Sequence, residues 1–310
     1  MIIRCKMKES NDRIEALSIE YAKLYTLPPG CDFLNITSSV LNHPLVKDKQ
    51  KEHLRTTHRQ VVIFNYPSDD LKIKGLISFI PHAKDSPTLV FLRGGNRTFG
   101  ILNPGSDLVC FNDYTVITTT YRGGVSEGED EYGGDDVNDV KNLIEYIPTL
   151  QNKLTVPASP HMFLLGASRG GMQMFLALER FPELQTKFSK IVALSGLFDL
   201  HCSMTMRPDM KEMFTDDFRY IEGVNEEEWI RRRDPQKDIN KIDSNLPILI
   251  LDGSADERIA PEEGLQMAKA LKEYGKQVTY QIVQGGDHCL RNQSDRVQII
   301  TKWLEMSKEY

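Results

Sequence analysis

Residues 161–181, HMFLLGASRGGMQMFLALERF, decide how the rest of the chain is read. Met162–Leu165 is an apolar run long enough for one buried strand. Gly166-Ala167-Ser168-Arg169-Gly170 follows, and then good helix formers up to Phe181-Pro182, where proline ends the helix. Strand, G-x-S-x-G and helix in that order mark a nucleophile elbow. Ser168 must sit on a turn too tight for ordinary side chains, so Gly166 and Gly170 leave the room for strand and helix to approach. The turn lifts the Ser168 hydroxyl above the sheet edge. It also aims the first helical N–H groups at that space, where negative charge building on a substrate oxygen can be received.

Composition sets the bounds outside that stretch. The 310 residues suit one large α/β domain, and 40% hydrophobic residues suffice for a core. A net charge of −6 excludes the basic face of a nucleic-acid binder. No run approaches eighteen uncharged apolar residues, so no membrane span is expected. The opening MIIRCKMKESNDR lacks the apolar core and small-residue cleavage site of a signal peptide, which predicts a cytoplasmic protein. Cys5, Cys31, Cys110, Cys202 and Cys289 are scattered without a CxxC pair and read as free thiols in a reducing compartment. No His, Cys or carboxylate cluster has ligand spacing, so neither metal nor organic cofactor is expected.

Residues 1–59 read as a helical extension packed on a main domain of residues 60–310. Ile14, Leu17, Ile19, Ala22 and Leu24 form a helical stripe, Pro28-Pro29-Gly30 breaks it, and a second helical piece runs through Leu41–Leu54. Val61–Tyr66 and Leu71–Ile80 flank the turn Pro67-Ser68-Asp69-Asp70 and predict a hairpin. Thr88–Leu92, Tyr114–Thr120, Lys190–Leu194, Pro247–Leu251 and Gln277–Val283 predict further strands. Helices are expected from Asp135 to Tyr146, stopped by Pro148, and over Pro261–Tyr274 and Asn292–Met306. Residues 197–245 show no strand pattern and are crowded with Met and charge, the mark of an inserted helical cap. Alternating strands and helices predict a mostly parallel central sheet covered by helices on both faces. In such sheets the chemistry gathers at the carboxyl ends of the strands.

A serine hydroxyl needs a base, normally histidine, held by a carboxylate. The chain order for an elbow serine is Ser, acid, His. Downstream of Ser168 stand His201, in the cap, and His288, in the loop leaving the last strand; His288 is favoured. Leu251-Asp252-Gly253-Ser254-Ala255-Asp256 offers two carboxylates, and Asp256, a turn further along a small-residue loop, is favoured over Asp252. The oxyanion donors expected are the N–H of Arg169 and one from Gly95 or Asn96 in the loop Arg93-Gly94-Gly95-Asn96. Arg93, Tyr121 and Glu127 are the candidates for contacting substrate. The acidic run Ser126–Asp139 reads first as carboxylates favoured at a helix N-terminus, and second as a pocket for a cationic group. Arg207, Arg219, Arg231, Arg232 and Arg233 read as solvated or acid-paired surface, and Met204, Met206, Met210 and Met213 as filling for the cap's own core.

Phe91–Gly95, Tyr121–Gly124, Tyr132–Val140, Gly166–Gly171, Asp234-Pro235, Asp252–Pro261 and Gly286–His288, in this order, resemble the catalytic domain of the prolyl oligopeptidase family. That family is a branch of the α/β-hydrolases that includes acylaminoacyl and dipeptidyl peptidases, and the likeness runs from about residue 60 to 305. It implies the α/β-hydrolase fold, Ser168 as nucleophile, Asp256 as acid and His288 as base, acting through an acyl-enzyme on peptides or acyl-amino compounds. Two departures weigh against peptidase more than against serine hydrolase. Residues 1–59 read as helical where relatives usually carry a β-propeller, and Arg93 stands where they place Tyr or His before the paired glycines. Carboxylesterase on small acyl esters is the alternative, and a catalytically silent ligand-binding protein the second.

Overall fold

The computed structural model describes residues 2–83 and 86–306, with side chains from residue 9 onward; the side chain of Cys5 lies outside the described residues. The strands are β1 (Phe33–Asn35), β2 (Gln60–Ser68), β3 (Leu71–Phe79), β4 (Thr88–Leu92), β5 (Thr115–Thr119), β6 (Met162–Ala167), β7 (Lys190–Leu194), β8 (Ile248–Gly253) and β9 (Val278–Val283). The helices are α1 (Ile2–Ala22), α2 (Thr37–Asn42), α3 (Asp48–Thr56), α4 (Asp136–Leu154), α5 (Arg169–Arg180), α6 (Leu200–Met206), α7 (Pro208–Asp217), α8 (Glu226–Arg231), α9 (Pro261–Glu273) and α10 (Arg296–Glu305). The sheet is mixed, in the order β1-β2-β3-β5-β4-β6-β7-β8-β9. Together with the covering helices this is the α/β-hydrolase architecture.

One compact unit comprises residues 1–88, 93–130 and 142–160. Its pairs β1–β2, β2–β3 and β3–β5 are antiparallel, with Leu34 opposite Ile63, Phe64 opposite Gly75 and Ile77 opposite Ile117. The hairpin of β2 and β3 turns where the Pro67–Asp70 signal stands. Residues 1–59 hold the helices α1, α2 and α3 and one strand that patterning misses. β1 is three residues long, too short for a period-two signal, and forms because β2 offers its backbone as a template. The Leu41–Leu54 piece divides into α2 and α3 around Pro44, which disfavours helical backbone at His43. The Tyr25 hydroxyl donates to Leu102 O at 2.9 Å, and Gly100 N–H donates to Ser18 Oγ at 2.9 Å.

Pro148 does not stop α4, which continues through it to Leu154. Proline removes one N–H and crowds the preceding turn, at about 3 kcal/mol. Here it faces outward, while Leu143, Ile144, Ile147 and Leu150 stay buried along one stripe across it. Apolar burial at about 1.5–3 kcal/mol per side chain outweighs the local penalty.

The second unit comprises residues 89–92, 131–141 and 161–310. Its pairs β6–β7, β7–β8 and β8–β9 are parallel, with Leu165 opposite Val192, Ala193 opposite Ile250 and Leu251 opposite Gln281. The carboxyl ends of the four strands therefore come out side by side. Among its described residues, 197–245 contains no strand; α6, α7 and α8 lie there. Phe214, Phe218, Tyr220, Trp229, Met204 and Met210 are buried and give this segment a core of its own, whereas Met206 is 61% exposed.

If stripe burial carries α4 through its proline, Ile147→Ala lowers stability by about 2–5 kcal/mol. Pro148→Ala leaves stability unchanged or raises it. Denaturant titration of the two variants checks this, and a loss at Pro148 equal to that at Ile147 contradicts it.

Candidate active site

The elbow forms as the motif requires. Ser168 sits at φ +56°, ψ −125°, between the end of β6 and the start of α5. A non-glycine residue there stores about 1–3 kcal/mol, sustained only where the surroundings determine it. A Cβ on Gly166 would lie 2.3 Å from Gly170 O, so strand and helix touch backbone to backbone. The Ser168 N–H donates to Leu194 O at 2.9 Å, and its carbonyl accepts from Gly171 N–H at 2.8 Å and Leu197 N–H at 3.2 Å. The turn is thereby tied to both α5 and the end of β7.

Beneath the elbow lies a buried charge pair that the sequence does not announce. The Arg169 guanidinium and the Asp136 carboxylate, both fully buried, are ion-paired. Asp136 also accepts from Gln173 Nε2 and, with both oxygens, from Gly133 N–H at 3.0 Å. The Arg169 guanidinium lies 4.4 Å from the centre of the Tyr132 ring. The residue whose N–H is expected to serve the oxyanion is thus anchored through its side chain.

Asp256 and His288 are brought together. The His288 Nδ1–H donates to Asp256 Oδ2 at 2.8 Å, with the Asp256 side chain 1% and the His288 side chain 16% exposed. The other Asp256 oxygen accepts the N–H groups of Arg258 at 2.8 Å and Ile259 at 3.0 Å. Burial pushes the Asp256 carboxyl up, but His288 and these backbone donors hold it below its ordinary value. For His288, burial disfavours the imidazolium; the Cys289 thiol and Asp256 outweigh it and push the pKa up to about 9. The Cys289 thiol is in turn lowered by His288 against its own burial. Asp252 has no bond to His288. It is buried and pushed up to about 8 by burial, Asp256 and Glu263. His201 lies in α6, exposed, 4.0 Å from Glu226. Among the described residues no hydrogen bond joins the Ser168 hydroxyl to His288. Ser195, just past the end of β7, links their neighbourhoods: its Oγ accepts the Cys289 N–H at 3.0 Å. A lone serine after an apolar strand carries no signal in sequence, so this residue was missed.

Gly95, Asn96, Arg93, Tyr121 and Glu127 belong to the other unit. Gly95 takes φ +71°, and a Cβ there would meet Phe99 O at 2.1 Å; Asn96 bridges to Phe99. Arg93 and Tyr121, expected at the substrate, are buried instead. The Arg93 guanidinium donates to the carbonyls of Gly94 at 2.9 Å, Phe99 at 3.3 Å and Thr120 at 2.7 Å, and the Tyr121 hydroxyl donates to Arg93 O at 3.2 Å. Burying a guanidinium demands such partners, and the glycine turn supplies them. Glu127 is exposed and accepts the Lys72 N–H at 2.8 Å. Elsewhere in the acidic run, Asp130 accepts from Arg97 N–H, Glu131 from Asp135 N–H, and Asp135 pairs with Arg232 at 2.7 Å. These carboxylates serve local donors, which favours the structural reading of the run. Among the described residues no group of His, Cys, Asp and Glu could hold a metal ion, and no helix is long and apolar enough to cross a membrane.

The Peptidase_S9 family model, prolyl oligopeptidase family, matches residues 106–309, a span that includes Ser168, Asp256 and His288. The chain belongs to the prolyl oligopeptidase family. It is a serine hydrolase of that family. Uncharacterized peptidase YtmA of Bacillus subtilis is 23% identical over 271 residues, covering 84% of this chain and 99% of that protein. Acylamino-acid-releasing enzyme 2 of Oryza sativa subsp. japonica is 25% identical over 286 residues, covering 78% of this chain and 34% of that protein. The acylaminoacyl peptidase of Pyrococcus horikoshii superposes with a TM-score of 0.62 at 20% identity, over 80% of this chain and 41% of that one. The chain therefore spans nearly all of YtmA, about a third of the plant enzyme and under half of the archaeal one.

Asp136→Ala leaves the Arg169 charge buried and unpaired, at an expected loss of about 3–5 kcal/mol in denaturant titration; a loss below 1 kcal/mol contradicts the pairing. The pH profile of kcat/KM reads the base. A His288 pKa near 9 means that activity, which needs the neutral ring, is lost below that pH and present above it. Cys289→Ala removes the thiol that favours the imidazolium, so the rise moves to lower pH. An unmoved rise contradicts the coupling.

Proposed function

We propose that this protein is a serine peptidase that cleaves acylated amino acids or short peptides through an acyl-enzyme at Ser168. The observation that carries the reading is the 2.8 Å bond between His288 and Asp256 on the loops after β9 and β8, downstream of an elbow serine at φ +56°. In this reading His288 takes the proton from Ser168 as the hydroxyl attacks the carbonyl, and Asp256 holds the ring in the tautomer that can accept it. The N–H of Arg169 receives the oxyanion. His288 then hands its proton to the leaving amine, and water repeats the sequence to release the acid. No step calls for a metal or organic cofactor.

The acyl-amino substrate is supported by the names of the relatives, which include acylamino-acid-releasing enzymes of plants and mammals. Cys31, Cys202 and Cys289 are free thiols, which fits a reducing, cytoplasmic setting. The net charge of −6 fits a small-molecule or peptide partner better than a nucleic acid.

A fluorophosphonate probe tests the chemistry and paired substrates test the specificity. Wild-type protein labels and Ser168→Ala does not, with kcat falling on the order of 10⁶-fold. N-acetyl-aminoacyl anilides turn over at a kcat/KM at least comparable to p-nitrophenyl esters. Labelling with turnover of the esters alone replaces the peptidase with a carboxylesterase, and absence of labelling rejects the enzymatic reading.

A further inference from the structure

Between the strand that leads to Ser168 and the strand that leads to Asp256 lies β7, and Ser195 is the residue just past its end. Ser195 is fully buried and held at φ +47°, a conformation that favours glycine over a residue with a Cβ. Its N–H donates to Leu251 O at 2.9 Å, which fixes it against β8. Its Oγ accepts the N–H of Cys289 at 3.0 Å, one residue past the imidazole.

The turn that Ser195 holds is itself unrelaxed. Cys289 and Leu290 are both left-handed, at φ +58° and +52°. The other bonds of this turn stay local or run to the loop after β8. Leu290 N–H donates to Asp287 O at 2.8 Å, the Asp287 and Asn292 side chains exchange bonds with each other's N–H at 3.0 Å, and Ala255 N–H donates to Gly286 O at 2.9 Å. The bond to Ser195 runs instead to the end of β7, where the Leu194 carbonyl accepts the Ser168 N–H and Leu197 N–H, three residues on, donates to the Ser168 carbonyl. Asp256 grips Nδ1 and so sets the rotation of the ring about one edge. It does not fix where the turn stands relative to β6.

We propose that Ser195 is a positioning residue, whose hydroxyl registers the backbone of the His288 turn against the strand pair that carries Ser168. The proposal rests on reading Ser168 and His288 as nucleophile and base. Proton transfer depends steeply on that register, because a displacement of about 1 Å costs on the order of 100-fold in rate.

Two substitutions separate the acceptor from the strain. Ser195→Gly removes Oγ and suits the left-handed backbone, while Ser195→Ala removes Oγ and keeps the Cβ. Both are expected to lower kcat by about 10–100-fold with KM within about twofold. Both broaden or lose the far-downfield proton resonance of the His288 Nδ1–H bonded to Asp256, while the Gly variant melts as a folded protein. If Ser195→Gly keeps kcat and the resonance, the proposal is overturned, whatever Ser195→Ala does. Should the Gly variant fail to fold, Ser195→Cys, a near-isosteric and weaker acceptor, is read by the same two measurements. Failure of the serine-hydrolase reading shows separately, as wild-type protein that does not react with a fluorophosphonate. The resonance then still reports whether Ser195 holds the turn.

Discussion

A serine held at φ +56° at the end of a strand is a conformation the free chain avoids, and much of the second unit serves to keep it there. Backbone contact between Gly166 and Gly170 leaves no slack in the turn, and the bonds to Leu194 and Leu197 join it to the neighbouring strand. The Arg169–Asp136 pair, capped by Gly133, Gln173 and the Tyr132 ring, anchors the first residue of α5 from below. Such a pair contributes little net stability once its desolvation is counted, yet removing either partner is costly. Its effect is to make one geometry of the elbow much better than any other. Local strain persists at a site when the surroundings over-determine it, and here they do so from two sides.

The electrostatics around His288 follow from the same crowding. Three carboxyl groups occur close together at the β8 end and the start of α9, and their environments drive them apart. Asp256 keeps its charge because His288 and two backbone N–H groups stabilise it. Asp252 is pushed up to about 8 by burial and by Asp256, and Glu263 to about 7, chiefly by burial. Of the three, only the carboxylate that touches the imidazole is held below its ordinary value. Separating the pKa values of neighbouring acids by environment is how a site assigns different roles to chemically similar groups. Glu263 also accepts the N–H groups of Phe198 and Asp199 and the Ser203 hydroxyl, which ties the start of α6 to the helix that follows the acid loop.

Strand patterning, breakers and the elbow motif made most of this architecture readable. β4 and β7 run over the residues expected, because buried strands are short apolar runs with sharp ends. The elbow was legible because its glycines answer to a backbone clash that any sequence would face there. Two features were misjudged by local rules. Pro148 reads locally as a stop, but a buried stripe on both sides of it outweighs one missing hydrogen bond. β1 leaves no pattern in the sequence, since a three-residue strand exists only through its partner.

For the candidate site, the residues themselves name Ser168 and His288 and favour Asp256 over Asp252. Residue types, chain order and loop chemistry are local properties, and they carry that much. Which carboxylate meets the imidazole depends on how the loops after β8 and β9 fold, and the structure puts Asp256 there at 2.8 Å. Arg93 and Tyr121 looked like substrate contacts because polar side chains near a glycine turn suggest a ligand. Only folding shows their polar groups consumed by nearby carbonyls. Ser195 and Asp136 are ordinary letters in ordinary contexts. Their significance comes from residues 94 and 33 positions away along the chain, and contacts at that range are set by packing that no local window contains.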